Sequence, residues 1–203
     1  MTNSSEKIRK MVTLAMLLAL VVLLQVFGGL IPMPGGIAPT LALIPIVLGG
    51  VLLGVWYGAA LGAAFGLITV LQAPLGALTA VLFSEEPVLF VLIAMVKAIA
   101  AGIVPALIFR LFRKNHPFVG VVVASLSSPI VNTALFLLGS LTILDAFDVY
   151  ITGSELAMSP VQFLFAIVIT TNFLAEIIIS AVISPAVYRV IEVVKRRKWS
   201  APQ

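Results

Sequence analysis

Five apolar stretches, residues 11–30, 40–73, 88–112, 117–144 and 159–191, take up most of this 203-residue chain. A helix needs about 20 such residues to cross a ~30 Å hydrocarbon core, and every stretch reaches that length. Inside such a core each backbone amide must find its partner within the chain, which favours helices over an open sheet. Composition points the same way. The chain is 62% hydrophobic and 10% charged, with a mean hydropathy of +1.23, whereas a soluble domain is about 45–50% apolar and about 25% charged. A soluble enzyme, a nucleic-acid-binding domain, a disordered chain and a coiled coil are all excluded. The absence of Cys removes a disulfide framework, a thiolate metal site and a thiol nucleophile. The single His, His116, cannot build a His-based metal site by itself.

The 40–73 stretch is 34 residues long, about 50 Å as one helix, and overshoots the core. Trp56 and Tyr57 in its middle prefer the water interface, and the flanking Gly54 and Gly58 allow a tight turn. With a turn there, the chain has six spans, at 11–30, 40–54, 57–73, 88–112, 117–141 and 159–191. Lys7, Arg9, Lys10, Arg110, Arg113, Lys114, Arg189, Lys195, Arg196, Arg197 and Lys198 then share one side, which is all but one of the 12 basic residues. Glu85, Glu86, Asp145, Asp148 and Glu155 fall on the other. The positive-inside rule makes the basic side cytoplasmic, and five spans would destroy the separation. The sequence therefore predicts an all-α integral membrane protein of the cell membrane, a single six-helix domain over 1–203 with both termini inside. The basic residues before Met11 imitate a signal peptide. The run is long for one and lacks a small-x-small cleavage site, so the expectation is a retained first span.

Three outer connections are long: the uncharged, Gly- and Pro-rich 28–40 (GGLIPMPGGIAPT), then 74–87 and 142–158. They read as candidate lids or as solvated linkers. Gly50, Gly54, Gly58, Gly62 and Gly66 recur every four residues, and Ala15 and Ala19 repeat the spacing on the first span. Such spacing lets helices approach closely, inside this chain or against a partner.

Charges inside a bilayer are costly and mark pathways, sites or partners. Lys97 in the fourth span and Glu176 in the sixth are the two that fall there. Asn172 lies one turn outward of Glu176, Asn132 and Thr133 lie in the outer half of the fifth span, and Gln72 is near the outer end of the third. Either Lys97 and Glu176 neutralise each other, or these residues line a ligand pocket near the extracellular side. There Lys97 would hold an anionic group and the amides and hydroxyl would bind neutral polar groups. No P-loop is present and no Ser-His-Asp set can form, so the chain is not expected to be an enzyme.

Ala15-Met16-Leu17-Leu18-Ala19 looks like the AxxxA motif of a known family. The run Ile44-Pro45-Ile46-Val47-Leu48-Gly49-Gly50-Val51-Leu52-Leu53-Gly54, followed by Tyr57-Gly58-Ala59-Ala60-Leu61-Gly62 and Phe65-Gly66-Leu67, is similar to a pattern of that family's pantothenate-type branch. Phe83-Ser84, Asn132-Thr133 and Glu176 match as well. On these residues the chain resembles the substrate-binding (S) component of energy-coupling-factor (ECF) vitamin transporters. It departs from the branch at Leu43, where His is frequent, and at Lys97, where Arg is frequent. The resemblance implies high-affinity binding of a vitamin from outside, with pantothenate the leading ligand. It also implies docking through Ala15 and Ala19 on a transmembrane coupling subunit. Two cytosolic ATPases would use ATP to topple the component in the membrane, so the chain itself needs no cofactor, and no nucleic acid is expected. The alternatives are a pyridoxine- or pyrimidine-type ligand on the same scaffold, and a structural membrane protein without a ligand.

Overall fold

A computed structural model describes residues 3–29 and 39–199 of the protein, with backbone alone at 3, 171 and 195–199. Every regular element among the described residues is helical. They are α1 (Asn3–Gly29), α2 (Leu43–Leu53), α3 (Val55–Gln72), α4 (Ala77–Glu85), α5 (Pro87–Phe112), α6 (Pro117–Ser140), α7 (Leu144–Gly153), α8 (Pro160–Phe163) and α9 (Leu174–Trp199). A 3-10 turn (Ala73–Leu75) joins α3 to α4, and a π-helical segment (Leu164–Phe173) makes α8 and α9 one continuous rod. Five helical stretches are long and apolar enough to cross a membrane, and α2, at 11 residues, is a shorter apolar helix. The 28–40 connection lies mostly outside the described residues.

Proline sets several starts. Pro87, Pro117 and Pro160 each open a helix, where a missing N–H costs nothing. Ser159 adds a capping box: its Oγ accepts from the Gln162 N–H at 3.3 Å, and the Gln162 side chain accepts from the Ser159 N–H at 3.0 Å.

The 40–73 stretch breaks at Gly54, whose φ of 119° and ψ of 173° are essentially reserved for glycine. The chain reverses there, so that Gly50 faces Gly58 and Gly49 faces Leu61. A Cβ on Gly54 would meet nothing within 4 Å, so any penalty for alanine comes from backbone strain alone. Gly54→Ala is expected to lower stability by about 1–3 kcal/mol. Gly153→Ala, which has equal space and an ordinary φ, should leave the melting temperature in detergent unchanged or higher.

The other pairings are antiparallel too. Gly58 and Gly62 of α3 lie on Gly102 and Ala98 of α5. In α6, Gly139 packs on Ile93 of α5, and Phe118 packs on Tyr188 of α9. One end of the bundle therefore carries Lys7, Arg9, Lys10, Arg113 and Lys114, and the other carries Glu85, Glu86, Asp145, Asp148 and Glu155. The glycine stripe is consumed by packing within the chain. Gly54 stands outside it, at the break.

Of the two readings left open for the 74–87 and 142–158 connections, lid or solvated linker, the extended linker is the one the structure does not show, since each carries a short helix. Leu78 and Leu82 on α4 and Ala146, Phe147 and Ile151 on α7 are buried against Phe90, Phe163 and Val168. On α7 the apolar residues one turn apart make an amphipathic helix, whereas α4 is apolar on most of its surface and is held by burial of Leu78 and Leu82. The two short helices thus cap the acidic end.

Candidate ligand cavity

Beneath this cap lies a cavity of about 330 Å3, within the range of small-molecule sites. Five of the six residues that sequence singled out for a site line it: Lys97, Asn132, Thr133, Asn172 and Gln72. Lys97 comes from the first half of α5, and Asn132, Thr133 and Phe136 from the turns of α6 after Pro129. Asn172 belongs to the π segment. Gln72 ends α3.

The sixth, Glu176, stands one turn below Asn172 and is 3% exposed. Its Oε1 accepts the Thr40 backbone N–H at 2.9 Å. That bond fixes the chain just before α2 onto the final rod. Among the described residues no ion pair joins Lys97 to Glu176. The Lys97 ammonium instead lies over the Phe136 ring, 4.8 Å from its centroid, a cation–π geometry.

Polar groups here are poorly satisfied. Asn132 Oδ1, Thr133 Oγ1 and Asn172 Oδ1 are buried without a partner, as is Glu176 Oε2. A buried polar atom left unmatched costs about 1–3 kcal/mol, so this wall favours a polar occupant. Thr69 and Thr79, also on the wall, already donate to the carbonyls of Phe65 and Ala73. The apolar portion comes from Phe65, Leu78, Leu82 and Phe136.

Sequence reasoning missed Gln25, Thr40, Thr79 and the apolar wall. Gln25 had a signal, as an amide near the end of the first apolar stretch. Thr79 and Leu78 had none, since nothing in the 74–87 segment marked which of its residues face inward.

Helices of this length and apolarity, packed antiparallel around a polar cavity, define a multi-pass membrane protein. The ECF transporter, substrate-specific component family matches residues 9–188, and the chain belongs to that family. It is also similar to the pantothenic acid transporter PanT of Lactococcus lactis subsp. cremoris (strain MG1363), with 28% identity over 188 residues, covering 86% of this chain and 89% of that protein.

Proposed function

We propose that the chain is the high-affinity vitamin-binding subunit of an ATP-driven uptake transporter in the cell membrane, and that its ligand is pantothenate. α2 completes six membrane segments, both termini are cytoplasmic, and the cavity faces outward. The separation of basic and acidic ends supports that orientation.

The observation that carries the ligand reading is the placement of Lys97, which makes no ion pair among the described residues, on one cavity with unpartnered amide and hydroxyl oxygens. Pantothenate offers a carboxylate for Lys97. Its amide and two hydroxyls suit Asn132, Thr133, Asn172 and Gln72, and its gem-dimethyl group suits Phe65, Leu78 and Phe136. The similarity to a pantothenic acid transporter supports the same ligand.

Transport needs energy from elsewhere. Partner ATPases would supply it, acting through a coupling subunit docked on α1. Ala15 and Ala19 are exposed on that helix, which leaves the small-residue face open to such a partner. The expected motion is toppling of the loaded subunit, with the cavity turned to the cytoplasm.

The unpartnered Glu176 Oε2 favours a second reading, a cationic pyridoxine- or pyrimidine-type ligand. Titration calorimetry of the purified protein with pantothenate and with pyridoxine separates the two. Pantothenate is expected to bind, with Lys97→Ala costing more affinity than Glu176→Gln. Pyridoxine binding without pantothenate binding, or the reverse order of the two variants, would overturn the assignment. Mass spectrometry of small molecules released on denaturation should find pantothenate.

A further inference from the structure

Three prolines stand inside the long helices: Pro105 in α5, Pro129 in α6 and Pro185 in α9. Each lacks the N–H that would bond the carbonyl four residues earlier. The carbonyls concerned are those of Ala101, Ser125 and Ala181. In a membrane interior a freed carbonyl must be matched by a neighbouring side chain or an ordered water.

Two of the three are matched by serine. Ser128 Oγ of α6 donates to the Ala101 carbonyl at 2.9 Å, and Ser184 Oγ donates to the Ala181 carbonyl at 2.9 Å. Among the described residues no serine serves the third in this way. Ser127, the nearest candidate in sequence, donates to the Ala124 carbonyl at 2.8 Å.

Beside Ser125, one turn before Pro129, a small cavity of about 10 Å3 opens between α2, α6 and α9, close to the roughly 10–15 Å3 that one water needs. Ser125 and Ser180 are its hydroxyl-bearing walls, and Leu43, Ile44, Val47, Ile183 and Val187 complete it. Ser125 is 6% exposed, and its Oγ has no partner.

We propose that the Pro129 break of α6 is a binding site for a single buried water, held by the Ser125 and Ser180 hydroxyls and donating to the Ser125 carbonyl. The water takes the role that Ser128 and Ser184 play at the other two prolines. The site is distinct from the ligand cavity and does not depend on which vitamin binds there. It also bears on the cavity. Asn132 and Thr133 follow Pro129 by three and four residues, so the hydrated break sets the direction in which α6 delivers them.

Radiolytic hydroxyl-radical footprinting of the full chain in detergent tests this, because a trapped water labels the side chains around it. Leu43, Val47 and Val187 are expected to be modified well above Val21 and Leu61, which are buried to within a few per cent of the same degree but lie elsewhere. In Ser125→Val the added methyl fills the water's space, and labelling should fall to the reference level. If that variant fails to fold, Pro129→Ala serves instead, since it restores the N–H to the Ser125 carbonyl and should abolish the excess labelling. Wild-type labelling no higher than the references, or an excess that persists in a folded variant, would overturn the proposal.

Discussion

Replacing Lys97 by alanine is expected to weaken pantothenate binding by about 30-fold or more. Truncating one member of a buried, hydrogen-bonded charge pair costs about 2–5 kcal/mol, and 1.4 kcal/mol is tenfold in affinity. The lower figure fits a cavity that still admits solvent. Among the described residues Lys97 makes no ion pair and rests on Phe136, with Glu176 acting on it only at longer range. Removing the buried amine relieves a desolvation cost larger than its attraction to Glu176, and the melting temperature of the ligand-free variant should hold or rise. The alcohol analogue pantothenol provides the control, because it lacks the carboxylate. Its affinity should barely differ between wild type and Lys97→Ala, while Lys97→Arg keeps the charge and most of the pantothenate affinity. Equal losses for acid and alcohol in calorimetry would mean that Lys97 shapes the cavity without recognising the carboxylate.

Much of the architecture was legible because lipid forces it. Apolar length predicts where the long helices run, and the Trp56-Tyr57 pair between glycines marks the break that Gly54 makes. The cluster of Lys97, Asn132, Thr133, Asn172 and Gln72 was legible for a related reason. A polar side chain in an apolar span must face something polar, so residues at similar depth on different spans converge. The capping helices α4 and α7 were not legible. Glu85, Glu86, Asp145 and Asp148 mark their segments as solvated, and their short apolar faces gain meaning only once Phe90, Phe147 and Phe163 are brought together. The role of Glu176 was equally hidden. Its Oε1 accepts from the backbone N–H of Thr40, 136 residues away, and nothing in sequence brings those two positions together. The direction of the glycine stripe was open in sequence, since spacing by four says that a face is smooth and not what lies against it.

That stripe carries the second large expectation, that Gly58→Ala separates α3 from α5. A Cβ at Gly58 would stand 2.4 Å from the Gly102 carbonyl oxygen, and one at Gly102 would stand 2.1 Å from that of Gly58. Both obstacles are backbone, and a helix backbone cannot rotate aside as a side chain can. The helices must part, losing the close packing and Cα–H···O contacts that hold small-residue seams together in lipid. Overpacking costs about 1–3 kcal/mol, and a backbone obstacle on both sides puts Gly58→Ala at the upper end. Gly49→Ala is the internal comparison. Its nearest obstacle, at 2.2 Å, is the Leu61 Cδ1 methyl, the far end of a flexible side chain that can turn away, so its melting temperature should fall less. The seam also reaches the ligand site. α3 carries Thr69 and Gln72 to the cavity and α5 carries Lys97, so parting them moves the cation from the polar wall opposite. Folded Gly58→Ala protein is therefore expected to bind pantothenate more weakly than Gly49→Ala protein, although residue 58 does not line the cavity. Equal melting temperatures and equal affinities for the two variants would show that α3 and α5 slide rather than part.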